Sequence, residues 1–309
     1  MADEADIVLV GWGTSSLRVW TLDRWGAIVG QRRSDRGMGR LSPADFGSEL
    51  QANLTALDVD GDVPVLICGM AGAAQGWQEA QYIDLPNDLA ALAGAAVRVT
   101  GQPRDIRILP GMAQRDIACP DVMRGEETIL YGLVCQGIET GLVCLPGTHA
   151  KWARVRDSRL TDFRTFMTGE LYELLAARSI LRHTVADGEW SDSDFVDAVT
   201  EAFAAPAKAL TGLFALRAGP LLFGQDSQTG AARLSGLLIG AELAIGLEAH
   251  DREPLILAAS DGAADRYLAA CALLDVACRR VDAEAAVRDG LYALASKIWP
   301  ERKLEGRPT

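Results

Sequence analysis

The sequence predicts an α/β protein of two domains, and three observations carry that reading. The stretch Val8-Leu-Val-Gly-Trp-Gly-Thr-Ser-Ser-Leu-Arg-Val-Trp-Thr21 has the same outline as Leu142-Val-Cys-Leu-Pro-Gly-Thr-His-Ala-Lys-Trp-Ala-Arg-Val155: an apolar run, a Gly-Thr pair, two small or polar residues and a second strand-like run. An Asp that starts a turn follows each, and Gly13, Thr14 and Asp23 correspond to Gly147, Thr148 and Asp157, every pair 134 residues apart. Second, a continuous apolar run leads into a Gly-bearing loop at Pro64–Trp77 and again at Pro254–Ala263, the strand-loop order of open α/β sheets. Third, 309 residues suit two domains better than one. The expected cut places residues 1–115 in the first and 116–309 in the second.

The elements follow in order. Residues 6–10 and 17–22 read as strands, with Asp23-Arg-Trp-Gly26 as the turn and Ile28–Gln31 as a third strand, giving a β-meander. A helix is expected over about 44–57, with Ser42 as N-cap and Pro43 at its first position. Pro64–Cys68 is a buried strand, and Val97–Thr100 and Ile106–Leu109 are two more. Asp121–Val134 reads as a helix leading into the second half. The second hairpin unit spans 141–166, and Thr168 is expected to cap the helix after it. Helices at about 191–204, 207–218, 231–249, 263–274 and 284–298 complete the chain, interrupted by one strand at 254–259.

Composition narrows the function. Hydrophobic residues make up 49% and charged residues 23%, a balance able to bury a core in each domain. The net charge of −12 comes with no basic run, which argues against a nucleic-acid surface. An acidic protein that handles anions must place its positive groups locally, so Arg18, Arg124 and Lys151 stand out. Six cysteines without Cys-x-x-Cys spacing, most of them in apolar runs, read as reduced thiols of a cytoplasmic protein. The histidines at 149, 183 and 250 have no metal-ligand spacing, and the acidic N-terminus is no leader. The apolar stretch 234–247 is broken by Glu242 and three glycines, so no membrane span is expected.

Gly at a tight turn lets the main chain approach a ligand, and the N–H groups and hydroxyls that follow cradle phosphate oxygens. Two such turns, at Gly13-Thr14-Ser15-Ser16 and Gly147-Thr148-His149, would grip a polyphosphate from both sides; each alone is also ordinary hairpin chemistry. The small-residue loop Gly69–Trp77 is a substrate-side candidate, with Trp77 as packing anchor the alternative. Glu126 and Glu127 open a helix, where a carboxylate either faces a reacting group or simply complements the dipole.

Several strings together resemble the 2-dehydro-3-deoxygalactonokinase family: Leu145-Pro-Gly-Thr-His-Ala-Lys-Trp152, Val122-Met-Arg-Gly-Glu-Glu-Thr128, Phe166-Met-Thr-Gly-Glu170, Gln75-Gly-Trp77 and Leu234-Ser-Gly-Leu-Leu-Ile-Gly-Ala-Glu242. The likeness runs in order from about residue 7 to 298. It implies two ribonuclease-H-like domains of the actin, Hsp70 and hexokinase type around a central cleft for ATP, magnesium and a sugar acid. The implied reaction moves the γ-phosphoryl group of ATP to the terminal hydroxyl of 2-dehydro-3-deoxy-D-galactonate, giving the 6-phosphate. By that likeness the first phosphate loop holds Gly13, Thr14, Ser15 and Ser16, and the second Gly147, Thr148 and His149 with Lys151. Ser260, Asp261 and Gly262 would serve the adenosine side, and Gln75, Trp77, Arg18 and Thr168 the sugar acid. Glu126 would be the base with Arg124 beside it, Glu127 being the other candidate. Magnesium would be carried by the phosphates, with Glu126 or Glu127 as its protein ligand.

The sequence departs from the family at three places. Gly11 stands where relatives carry an Asp that orients magnesium through water, Ala73-Ala74 where they carry polar residues, and Ala258-Ala259 where they carry Leu-Ile-Gly. These leave open a kinase for another hydroxy acid, or an impaired homologue that only binds sugar acid or nucleotide. A homodimer is also left open.

Overall fold

The computed structural model describes residues 5–185, 190–223, 229–249, 253–260 and 262–304. Two units emerge: residues 1–140, 155–162 and 283–309 in the first, and 141–154 and 163–282 in the second. The division therefore falls at 140/141 rather than the expected 115/116, and the C-terminal helix returns to the first unit.

The first unit contains β1 (Ile7–Trp12), β2 (Leu17–Leu22), β3 (Ile28–Ser34), α1 (Phe46–Ala56), β4 (Val65–Gly69), β5 (Ile83–Asp84), β6 (Asn87–Asp88), β7 (Val97–Arg98), β8 (Ile106–Ile108), β9 (Met112–Gln114), β10 (Asp121–Met123) and α2 (Glu126–Cys135). Its main sheet has the order β3-β2-β1-β4-β8-β7. The meander β1-β2-β3 is antiparallel, and β1, β4 and β8 run parallel. Parallel strands buried on both faces need continuous apolar runs. Ile7–Val10 and Val65–Ile67 satisfy this, each fully buried.

The second unit begins with β11 (Gly141–Leu145), β12 (Ala150–Arg156) and β13 (Arg159–Phe166), the hairpin tip at 155–162 belonging to the first. Then come α3 (Thr168–Arg178), α4 (Arg182–Val185), α5 (Asp192–Ala204), α6 (Ala207–Phe223), α7 (Gly230–Ala249), β14 (Leu255–Ala258), α8 (Gly262–Leu273) and β15 (Cys278–Val281). The strand order is β13-β12-β11-β14-β15, with β11, β14 and β15 parallel. It repeats β3-β2-β1-β4-β8 strand for strand, so the duplication expected from the two Gly-Thr hairpins is a duplication of topology. α9 (Ala283–Ile298) closes the first unit against α2, where Gly132 meets the backbone of Ala286 too closely for any Cβ.

α7 is, among the described residues, the helix long and apolar enough to cross a membrane, with 67% of its apolar window buried in the unit. Its Gly236 and Gly240 lie against the carbonyls of Phe195 and Val199, so α5 packs backbone to backbone on it.

Four local expectations are corrected. The chain over 121–123 is a strand paired antiparallel with β9, and α2 starts only after Gly125, whose φ of +111° interrupts any earlier helix. α1 starts at Phe46 behind Asp45, because the Ser42 N–H and hydroxyl donate to the Asp45 carboxylate and hold 42–45 as a turn. Thr168 is the first residue of α3 and caps nothing, since its hydroxyl is committed elsewhere. The strand β15 was not expected at all; it pairs with β14 in four registered positions.

Candidate active site

In the first unit the turn after β1 closes through Gly13 N–H donating to the Ser16 carbonyl at 2.8 Å, and leaves Thr14 and Ser15 exposed. The segment 37–39 supports it from behind: the N–H groups of Met38 and Gly39 donate to the carbonyls of Gly13 and Thr14. With the carbonyls so occupied, the outward side of the turn is left to amides and hydroxyls, the donors an oxyanion needs.

Two further turns converge on the same corner. Gly69, at the end of β4, approaches the carbonyl of Trp12, and a Cβ at Gly125 would lie 3.3 Å from the Cα of Gly69. The turn that follows β1, the carboxyl end of β4 and the N-terminus of α2 are therefore neighbours. That junction separates the two candidate bases. Glu127 is fully buried, and both its oxygens accept the Gly125 N–H, at 2.8 and 2.7 Å. Burial, with the Glu126 charge adding to it, pushes Glu127 up to about 7. Glu126 is only partly buried, and its Oε2 accepts the Arg124 N–H at 3.0 Å.

The other residues singled out in this unit divide. Arg124 donates to the Ala80 carbonyl, lies 4.3 Å from the ring centre of Tyr82, and keeps Nε and Nη1 buried without an acceptor. Gln75 is exposed on its loop. Trp77 stacks on Phe46 at 6.1 Å and meets Trp12 edge-on, which is the packing-anchor arrangement. Arg18 lies opposite Gly11 in the β1–β2 register and pairs with Glu284 at 3.3 Å, a carboxylate it shares with Arg33.

In the second unit the equivalent turn exposes Gly147, Thr148 and His149. The first turn of α3 supports it as 37–39 supports the other: a Cβ at Gly169 would lie 2.4 Å from the Gly147 carbonyl, and Glu170 N–H donates to the Thr148 carbonyl. Glu170 also holds the His149 ring through Nε2 at 2.5 Å. Lys151 does not join this turn. It lies in a strand buried on both faces here, and its ammonium donates to Thr165 Oγ1 at 2.8 Å. Ser260 is exposed and donates to Asp282, Gly262 is exposed, and Asp261 lies outside the described residues.

Behind the second turn lies a cavity of about 190 Å³, lined by Gly147, Thr168, Tyr172, Leu238, Arg266 and Tyr267 among others. Beneath it is Glu242, 2% exposed, a charge in the middle of apolar α7. Its Oε1 accepts the Trp152 indole N–H at 2.8 Å, and its Oε2 accepts both the Tyr267 hydroxyl at 2.7 Å and the Thr168 hydroxyl. Burial raises the carboxyl, and hydrogen bonds from Thr168, Trp152 and Tyr267 pull it back. Donors converging on both oxygens are the environment of an ionised acceptor. Sequence reasoning marked Glu242 only as an interruption of an apolar run. Tyr172, Arg266 and Tyr267 carried no signal, because they reach the cavity from two helices, α3 and α8, far apart in the chain.

Comparison with known proteins places the chain. The family model described as DGOK, 2-keto-3-deoxy-galactonokinase, matches residues 11–294. A Rhizobium meliloti (strain 1021) protein named "Probable 2-dehydro-3-deoxygalactonokinase DgoK1" is 45% identical, the match covering 94% of this chain and 97% of the relative. The Escherichia coli (strain K12) 2-dehydro-3-deoxygalactonokinase is 31% identical over 95% of this chain and 99% of its own. A crystal structure of a Sinorhizobium meliloti protein assigned to the same kinase superposes with a TM-score of 0.91 at 45% identity, covering 95% of this chain and 99% of the other.

Proposed function

The chain belongs to the 2-keto-3-deoxy-galactonokinase family, a family of sugar-acid kinases, and from that premise we propose that it transfers the γ-phosphoryl group of ATP to the 6-hydroxyl of 2-dehydro-3-deoxy-D-galactonate. The observation that carries this reading is the junction of Trp12, Gly69 and Gly125, which brings the start of α2, where Glu126 stands, close to the strand that leads into the Gly13–Ser16 turn.

Phosphoryl transfer asks for positioning and charge neutralisation rather than covalent chemistry from the protein. Each unit offers one turn suited to phosphate oxygens by its amides and hydroxyls, Gly13–Ser16 in the first and Gly147–His149 in the second. Glu126 receives the proton of the attacking hydroxyl. Glu127 acts differently: its bidentate hold on the Gly125 N–H fixes the loop from which Glu126 projects. Arg124 contributes positive charge from within the fold, its Nε and Nη1 buried behind Gly72 and its Nη2 given to the Ala80 carbonyl. Arg18 and Lys151 are engaged with Glu284 and Thr165, so they serve the scaffold of the turns. Magnesium carried by the triphosphate would neutralise charge there, with Glu126 the α2 carboxylate placed to serve as its protein ligand. This fits a chain in which Gly11 has no carboxylate and, among the described residues, no three acidic, His or Cys groups cluster as a cage. A cytoplasmic setting suits six cysteines that are all free.

The test is a coupled assay with ATP, magnesium and a panel of sugar acids on wild type and Glu126→Gln. Loss of the base is expected to lower kcat by roughly 10²–10⁴-fold while leaving both KM values near wild type. Wild-type turnover no higher than that of the variant, on every acid, rules the kinase reading out. Turnover confined to a different acid moves the assignment to that substrate, with Ala73 and Ala74 the residues to examine.

A further inference from the structure

The search left three candidates: the Glu242 network, the Arg124 guanidinium, whose unpartnered atoms are sealed beneath the Gly72 loop, and the apolar face of α6, where nothing shows what covers it. The first carries an inference of its own.

We propose that Glu242 is a positioning residue that makes the cavity beside the second turn an acceptor surface, and thereby selects adenine, with its 6-amino donor, over 6-oxo purines. This rests on the nucleotide reading of the Gly147 turn and deepens it.

A hydroxyl has one proton and two lone pairs, so it presents a ligand with either a donor or an acceptor. Tyr267 and Thr168 both line the cavity, and both give their proton to the same oxygen, Oε2 of Glu242. Of these two hydroxyls only lone pairs remain for a ligand, beside the Ser235 and Tyr172 hydroxyls that also line the cavity. The rest of the lining is largely apolar, with Leu238, Ile239 and the Tyr172 ring, which suits a flat heterocycle better than a ribose or a phosphate. Gly147 belongs both to this lining and to the exposed turn, so a base in the cavity is continuous with phosphates at the turn. The exposed Arg266, which could act as a donor, is drawn over the Trp190 ring at 4.5 Å.

The two oxygens of Glu242 are not equivalent, and this makes the idea testable. Oε1 accepts the indole N–H of Trp152, a group that can only donate. In Glu242→Gln the amide oxygen must stay with Trp152, so the amide nitrogen takes the place of Oε2. Its two N–H groups then face the two hydroxyl oxygens. Both hydroxyls must accept, and their protons turn into the cavity. A single isosteric change converts an acceptor surface to a donor surface without altering the lining.

The experiment measures KM for ATP, ITP and 2′-deoxy-ATP, with calorimetric binding of each nucleotide, on wild type, Glu242→Gln and Tyr267→Phe. Wild type is expected to favour ATP over ITP. Glu242→Gln should shift the ATP-to-ITP ratio of KM by about tenfold or more toward ITP, the equivalent of one hydrogen bond reversed, with kcat on ATP little changed. Tyr267→Phe should raise KM for ATP and leave ITP unchanged, and it carries the test should Glu242→Gln not fold. A folded Glu242→Gln with an unaltered ratio reduces Glu242 to a structural role and overturns the proposal. A shift seen only between ATP and 2′-deoxy-ATP overturns the assignment to the base. Absence of any purine nucleotide binding to wild type removes the kinase reading as well, which separates that failure from this one.

Discussion

Gly69 ends β4 at a φ of +93°, and the Cβ it lacks would lie 2.5 Å from the carbonyl oxygen of Trp12. A single position thus fixes both the direction of the Gly69–Trp77 loop and its approach to the end of β1. Gly69→Ala faces two penalties together: a backbone conformation that L side chains rarely adopt, and a collision with backbone rather than with a yielding side chain. We expect destabilisation of about 2–4 kcal/mol by chemical denaturation. The loss of kcat should exceed what the remaining folded fraction explains. An unchanged denaturation midpoint would mean that the two turns are not coupled through this residue.

Glu127 makes a pH prediction. Its folded pKa of about 7 lies above the ordinary glutamate value of 4.5, so the folded state holds a proton that the unfolded chain releases sooner. For a carboxyl raised in this way, the group carries no penalty below the unfolded value; stability then falls as pH climbs from about 4.5 to 7, and levels off above. The fall attributable to Glu127 is on the order of 3 kcal/mol at most. Glu127→Gln has no proton to release, so its stability relative to wild type should improve between pH 4.5 and 7.5. Denaturant midpoints for both proteins at half-unit steps of pH measure this. Parallel curves would show that Glu127 titrates near its ordinary value.

What the sequence made legible was local. The Gly-Thr turns and the Asp23 and Asp157 turns are written in neighbouring residues, and Asp23 indeed takes the N–H groups of Trp25 and Ala27 on its carboxylate. Because the hairpin leads each half, recognising it twice was enough to anticipate two copies of one hairpin-led unit, whose five central strands share one order. Where reading failed, a distant partner decided the outcome. The helical pattern over 121–134 gave way at its start to β9, which Asp121–Met123 joins as a strand. Thr168 had the chemistry of a cap, yet a carboxylate 74 residues further on claims its hydroxyl. Lys151 had the charge of a phosphate ligand, but β12 is buried on both faces there and its ammonium goes to Thr165 on β13. The cut at 115/116 missed that α9 packs on α2, a contact across some 150 residues that no local pattern announces.

Gly11 is where the chain parts from its family's pattern, and its surroundings predict what restoring a carboxylate does. The Cβ of a substituent would meet only the Trp20 ring, at 3.6 Å, an ordinary contact. Its neighbours in register are Arg18 on β2 and Cys68 on β4, so an Asp there gains a cation across the strand. Gly11→Asp should therefore fold, with stability within about 1 kcal/mol of wild type, since a strand glycine contributes no packing of its own. Arg18 already shares Glu284 with Arg33, so Arg33 keeps that carboxylate paired when Arg18 turns toward position 11. If the metal on the nucleotide benefits from a carboxylate at this place, half-maximal activity should need less magnesium and kcat should rise by about tenfold or more. Titrating magnesium at saturating ATP and sugar acid, on wild type and variant, reads both quantities. A variant that folds and leaves both unchanged would show that the phosphates and the α2 carboxylates hold the metal without help from β1.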